Sequence, residues 1–294
     1  MPTALPLDQG KLSSPLAQQY WQDGYLFPLQ VVSQTQAAAW RTQLEQLEKD
    51  WLDNGLPLPL NTYKRVNSHV VIPMSVEIAK TPAVLDAVEG LLGPDILIYS
   101  VEYFIKEPRT KHVVTMHQDL TYWGMGEIDN IITAWVALSD VSVASGCMDF
   151  VQGSHKNPIL PHEDSFDQNN LLSRGQEIVV KVADKDKVPV ELSPGQMSLH
   201  HGLTIHGSAP NVSDDRRIGA VIRYISPHVV KPVGPKDYGI PARGNCDTGK
   251  WNLFDGPSEL FDEAAQKRYV EIRDLQTKIM MSGAAKASNI YEKG

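Results

Sequence analysis

The chain has 294 residues, a formal net charge of −8 and 42% hydrophobic residues, enough apolar material to bury a sizeable core. Its acidic balance carries no basic stripe, which argues against a nucleic acid or an anionic membrane as partner. No apolar run approaches the roughly 20 residues needed to span a bilayer, residues 1–16 lack a secretory pattern, and Cys147 and Cys246 alone make no disulfide framework, so a cytoplasmic protein is expected.

In chain order, residues 15–23 read as a short helix leading to a strand start at Gly24–Tyr25–Leu26–Phe27–Pro28. Ser33 suits the N-cap of a helix over about 34–52, where Ala38, Trp40, Leu44, Leu47 and Trp51 form an apolar stripe at helical spacing. A second helix covers about 81–92 and stops at Gly93–Pro94. Strand-like runs follow over 96–106, 113–119, 131–138, 147–151, 177–182, 188–192, 196–201 and 217–225. Short strands with turn-rich spacers predict a mainly β fold with flanking helices, built on a double-stranded β-helix, or jelly roll. The Pro- and Gly-rich segment 226–257 is either a lid or a surface excursion. An amphipathic helix spans about 258–281, with Leu260, Ala264, Tyr269 and Ile272 on its apolar side. No linker, repeat or low-complexity tract divides the chain. One domain is therefore expected, with N-terminal helices over 14–93, a jelly-roll core over 95–226, and a loop and C-terminal helix over 227–294.

The chemistry is concentrated in His117–Gln118–Asp119, with His206 and Arg217 far downstream. In a strand, alternate residues share a face, so His117 and Asp119 point one way and Gln118 the other. The turn Ala209–Pro210–Asn211–Val212–Ser213–Asp214–Asp215 brings His206 alongside Arg217. Two imidazoles and one carboxylate make the facial set of a non-haem Fe(II) site with open positions. A spare guanidinium suits the far carboxylate of an oxoacid such as 2-oxoglutarate. Arg216 and Arg217 face opposite ways, so only one enters the barrel. Arg223 shares the face of Arg217 and needs an anionic partner, either a structural Asp or Glu or a substrate carboxylate. His200 shares parity with His206 and so approaches the cavity. Lys106, Arg109, Lys111 and His112 read as a solvated loop rather than as a phosphate site. Specificity is expected in the loops at 61–71, 121–130 and 157–176.

The chain resembles the phytanoyl-CoA dioxygenase family of Fe(II)/2-oxoglutarate-dependent oxygenases. The matching segments are His117–Gln118–Asp119–Leu120–Thr121–Tyr122–Trp123, Ala134–Trp135–Val136–Ala137–Leu138, Gly146–Cys147 running to Gly153–Ser154–His155–Lys156, and His206–Gly207–Ser208 with Asn211 and Arg217. The resemblance covers about residues 20–225. It implies that His117, Asp119 and His206 bind Fe(II), and that Arg217 and Ser208 hold the distal carboxylate of 2-oxoglutarate. Gln118 and Trp135 match cosubstrate positions, although alternation turns Gln118 away from the metal and Trp135 equally suits a buried core position. Tyr122 and Trp123 either wall the substrate pocket or pack the core. Related halogenating enzymes replace the carboxylate by a small residue. With Asp119 present, the expected outcome is hydroxylation or another oxidation of a C–H bond in a small-molecule substrate, using O2 and releasing succinate and CO2. A monomer or homodimer is expected. Two other readings stay open, a metal-dependent hydrolase and a jelly roll that binds without turnover.

Overall fold

The computed structural model describes residues 3–7, 11–164, 169–172, 176–179, 181–232 and 234–280. Among these the helices are α1 (Ser14–Asp23), α2 (Gln34–Trp51), α3 (Leu60–Arg65), α4 (Pro73–Ala79), α5 (Pro82–Leu92), α6 (Leu120–Trp123) and α7 (Glu263–Met280). The strands are β1 (Tyr25–Gln30), β2 (Ile96–Lys106), β3 (Val114–His117), β4 (Ile131–Ala137), β5 (Met148–Val151), β6 (His162–Asp164), β7 (Gln176–Ile178), β8 (Lys187–Val190), β9 (Gln196–His201), β10 (His206–Ser208), β11 (Arg217–Ile225), β12 (Tyr238–Arg243) and β13 (Asn252–Leu253). A large sheet runs β1-β9-β4-β11-β2-β12-β13 and a smaller one β3-β10-β5-β8, with β6 and β7 pairing separately. The two main sheets form the jelly roll that the strand spacing predicts.

Alternation along β11 decides the layering. Ile218, Ala220, Ile222 and Tyr224 join the core that also contains Tyr20, Trp40, Leu44 and Tyr269 from the helices. Val221 faces the other way and packs with Trp135, Phe150 and Val190 between the sheets. The large sheet is therefore covered by helices on one face and by the small sheet on the other, and β11 is buried on both. The polar members of its inner row, Arg217 and Arg223, are carried inside with Val221 because the period of two leaves no choice of side.

Several local expectations change in the structure. Ser33 does cap α2, accepting a bond from the Gln36 amide at 3.1 Å, but the buried stripe is Ala37, Trp40, Leu44 and Leu47, while Ala38 is exposed. The loop expected at 61–71 contains α3 and a short 3-10 turn. Segment 226–257 does not form a lid as a whole. Its β12 extends the large sheet by pairing with β2, and Trp251 and Phe254 are buried, since Pro and Gly at its turns leave the intervening residues free to pair. Expected strand 177–182 shortens to β7. No helix among the described residues is long and apolar enough to cross a membrane.

An ion network ties α2 to the end of β11. Arg216, outside the barrel, bonds Glu48 at 2.8 Å and Glu107 at 2.8 Å, and Lys64 also pairs with Glu48. Burial pushes the Glu48 carboxyl up, but Arg216 and Lys64 outweigh it and leave it below its ordinary value of 4.5. A carboxylate with a depressed folded value stabilises the fold above that ordinary value and loses the contribution as pH falls below it. Glu48→Gln should therefore lower stability at pH 7 by about 1 kcal/mol. The deficit should shrink as pH falls below 4.5 and vanish only once the pH lies below the depressed value of the folded carboxyl, where the wild-type side chain is protonated too, as read by urea unfolding across the acid range.

Candidate metal centre

β3 and β10 are antiparallel neighbours in which His117 stands directly opposite His206, with ring centroids 4.2 Å apart. Each ring is held the same way. His117 Nδ1 lies 2.9 Å from the Thr115 carbonyl and His206 Nδ1 2.9 Å from the Thr204 carbonyl. A carbonyl only accepts, so both Nδ1 atoms carry the hydrogen and both Nε2 lone pairs are left for a metal.

Asp119 arrives differently from expectation. β3 ends at His117, and Asp119 has helical angles (φ −59°, ψ −41°) at the start of α6. Strand alternation therefore does not place it. The ladder stops because the next amides leave it, Gln118 N bonding His162 Nε2 at 3.3 Å and Leu120 N bonding the Gly202 carbonyl at 3.0 Å. Asp119 nevertheless reaches the same point, with Oδ1 at 3.5 Å from His117 Nε2 and 4.0 Å from His206 Nε2. One ligand atom from each of the three residues falls within 4.8 Å of the others.

The second carboxylate oxygen is crowded by other groups. Thr133 Oγ1 donates to Oδ2 at 3.3 Å, with His200 Nε2 at 3.7 Å and Arg223 Nε at 3.9 Å. This division points Oδ1 alone at the two imidazoles. Burial pushes the Asp119 carboxyl up, but Arg223 and the histidines outweigh it and hold it well below the usual carboxylate range. Burial, then His117, holds His206 well below the usual imidazole range. An ionised carboxylate and a neutral imidazole are the protonation states a divalent ion requires. The donor set therefore fits Fe(II).

The inner face of β11 continues from this cluster to Arg217, which is 1% exposed. Its Nη1 donates to the Gly146 carbonyl at 2.6 Å, its Nε has no partner, and no carboxylate among the described residues pairs with it. Burial pulls it down to about 10. It lines the same cavity as the metal cluster, together with Ser208 and Trp135, and its Cζ lies 5.4 Å from the Trp135 ring. Trp135 is thus both buried and a cavity wall. Gly219 makes room for that ring, since a Cβ there would fall 1.9 Å from Trp135 Cζ2. Gly219→Ala should displace Trp135 at a cost of about 2 kcal/mol, read from the urea midpoint.

The structure corrects the expected basic loop. Arg109 and Lys111 are exposed, but Lys106 is 0% exposed and sits in register with Arg217 across the β2–β11 pair. Lys106 ends a strand with the parity of Glu102 and Phe104, so alternation carries it inward. Burial, then Arg217, brings its ammonium down to about 6. Arg65 on α3 was also not singled out by the sequence. Its Cζ lies 4.5 Å from the Phe104 ring, its Nη2 donates to the Leu171 carbonyl at 2.8 Å, and its Nε is buried without a partner. Only the location of α3 within an expected specificity segment hinted at it.

Gln118 is not at the cavity. Its Nε2 donates to the carbonyls of Pro158 (3.2 Å) and Leu203 (3.0 Å), and its Oε1 accepts from Leu160 N at 2.8 Å, so its amide is used up in joining loops. The structure thus places Gln118 in a joint between loops, away from the cavity wall, while β3 has already ended at His117. Arg223 pairs with Glu102 and lies 4.8 Å from the Trp123 ring. His200 is 1% exposed, with both ring nitrogens lacking hydrogen-bond partners. Arg223, Trp123 and His200 all line the cavity. The side chain of Tyr122 lies outside the described residues.

The family model described as phytanoyl-CoA dioxygenase matches residues 20–219. The chain belongs to the phytanoyl-CoA dioxygenase family. A relative in that family, a probable phytanoyl-CoA dioxygenase of Caenorhabditis elegans, is 31% identical over 151 residues, covering 49% of this chain and 48% of that protein. The chain thus spans about half the length of the curated relatives it matches. Among solved structures, the non-heme monooxygenase ThoJ in its apo form is 31% identical with a TM-score of 0.81, covering 91% of this chain and 98% of that one. The non-heme alpha-ketoglutarate-dependent carbocyclase SnoK from nogalamycin biosynthesis is 26% identical with a TM-score of 0.57, covering 77% and 87%.

Proposed function

We propose that this chain is an Fe(II)- and 2-oxoglutarate-dependent oxygenase that hydroxylates an unactivated C–H bond of a small-molecule substrate. The observation that carries the reading is the pairing of two features in one cavity. A two-imidazole, one-carboxylate cluster stands at one point, and a buried guanidinium without a carboxylate partner among the described residues stands further along the same wall. A buried cation needs an anion, and a dicarboxylic oxoacid that also chelates the metal meets both demands. A hydrolase using the same cluster would leave Arg217 without purpose.

His117 Nε2, Asp119 Oδ1 and His206 Nε2 would hold the metal, and Arg217 with Ser208 would hold the distal carboxylate beside Trp135. Bound there, Fe(II) supplies the redox chemistry in which O2 oxidises the substrate while 2-oxoglutarate becomes succinate and CO2. The remaining residues orient and exclude. Arg65 adds a second unneutralised cation to the cavity. Arg223, fixed by Glu102 and stacked on Trp123, lies with His200 beside Asp119, so these three side chains form the wall nearest the metal cluster on the side away from Arg217. They are our assignment for the substrate contacts. Membership of the family and the ThoJ and SnoK likenesses support the oxidative class. One catalytic domain, acting as a monomer or homodimer, fits the continuous sheets.

The test is anaerobic titration of the Fe(II)-loaded protein with 2-oxoglutarate, watching for the weak visible charge-transfer absorption of the chelate, followed by succinate assay on admitting O2. Absence of both with metal bound would sink the proposal and favour the hydrolase.

A further inference from the structure

Lys106 is a fully buried amine on β2 whose surroundings are all acceptors from one short segment. Its Nζ donates to Ser208 Oγ at 2.6 Å, to the Ser208 carbonyl at 3.3 Å and to the Ala209 carbonyl. None of its ion-pair neighbours among the described residues is a carboxylate in contact, and the nearest charged side chain across the strand pair is another cation, Arg217. Two basic side chains thus stand side by side in the interior with no carboxylate among the described residues in contact with either, an arrangement that burial alone disfavours.

The bond to Ser208 Oγ has a directional consequence. Two of the three partners of Nζ are carbonyls, which only accept, and an anion held beside Arg217 favours the charged form of Lys106, in which Nζ only donates. When Nζ–H points at Oγ, the hydroxyl hydrogen must turn elsewhere, and Ser208 lines the cavity with Arg217. We infer that Lys106 is a positioning residue for the cosubstrate: it holds the Ser208 hydroxyl as a donor aimed into the cavity, so that Ser208 and Arg217 grip one distal carboxylate together. Lys106 itself does not touch the ligand, since its three hydrogens are already taken. It acts through Ser208. This inference rests on the 2-oxoglutarate reading above.

The test is a thermodynamic cycle on the Fe(II)-loaded protein under anaerobic conditions, with dissociation constants measured for 2-oxoglutarate and for 2-oxobutyrate, which lacks the distal carboxylate. Lys106→Met and Ser208→Ala should each weaken 2-oxoglutarate about tenfold or more, the loss expected for a hydrogen bond to a charged group. The double variant should lose no more than the larger single loss, because both changes remove the same donor. All variants should bind 2-oxobutyrate as wild type does. A Lys106 that merely braces β10 against β2 would weaken both oxoacids alike, and losses that multiply in the double variant would also overturn the inference. If Lys106→Met does not fold, Ser208→Ala decides alone, since unchanged 2-oxoglutarate affinity there leaves Lys106 nothing to act through. Wild type that binds neither oxoacid overturns the cosubstrate reading itself, whereas wild type that binds 2-oxoglutarate with unchanged variants overturns only the role of Lys106.

Discussion

His206→Ala should abolish tight metal binding, with Fe(II) affinity falling by at least about 100-fold, the upper range seen when residues that merely support a ligand are removed. The reason lies in how few donors the cluster has. His117, Asp119 and His206 are the one group of metal-capable side chains found together among the described residues, and the nearby His200 offers no replacement position. Its Nε2 faces Asp119 Oδ2, the oxygen turned from the other two ligands. The visible absorption of the oxoacid chelate should therefore be missing from the variant even at saturating 2-oxoglutarate. Equilibrium dialysis against Fe(II) measures the first effect and anaerobic spectroscopy the second, with circular dichroism confirming that the variant is folded. Metal binding within about tenfold of wild type would remove His206 from the ligand set.

Arg217→Met should separate cosubstrate from metal. The metal cluster does not include Arg217, so Fe(II) affinity should stay within about threefold of wild type. Affinity for 2-oxoglutarate should fall by about 2–5 kcal/mol, or at least about 30-fold, the range for truncating one member of a buried charged pair. The unliganded protein should behave oppositely to a typical core truncation. Arg217 is desolvated, its Nε has no partner, and its one hydrogen bond among the described residues is to the Gly146 carbonyl. Replacing such a cation with an apolar side chain of similar length relieves burial of charge. Stability without ligand should stay within about 1 kcal/mol of wild type, while the extra stability conferred by 2-oxoglutarate disappears. Thermal unfolding with and without the oxoacid reads both outcomes. A variant that binds the oxoacid as wild type does would place the carboxylate elsewhere, with Arg65 the next cation in the cavity.

The local signals in this chain were legible to the extent that they were periodic. β11 is the clearest example, where alternation sets Arg217 and Arg223 on one face and Arg216 on the other, the family spacing picks Arg217 as the inward one, and the structure places them so. Gln118 lies just past the end of β3, and loop backbone groups hold its side chain away from the cavity. The rule failed at Asp119, where backbone amides leave the ladder and the chain turns into α6. A strand's end is set by what its neighbours offer to bond, and the segment's own residues do not show it. It was left unused at Lys106, grouped with the exposed Arg109 and Lys111 because charge at the end of a strand normally marks the surface. Arg65 and β12 were missed for a related reason. A six-residue helix and a strand interrupted by Pro241 carry too few periodic positions to stand out.

The sequence by itself determined which donors exist, their order along the chain, and which residues of each strand share a face, because covalent alternation needs no information from elsewhere. The tertiary structure decided which of those charges are neutralised. Arg223 finds Glu102 from the next strand, Arg216 finds Glu48 from a helix, and Arg217 and Lys106 stand in register with no carboxylate among the described residues in ion-pair contact with either. Neutralisation depends on distance through space in a medium that screens poorly, and that distance is set by the packing of sheets and helices far apart in the chain.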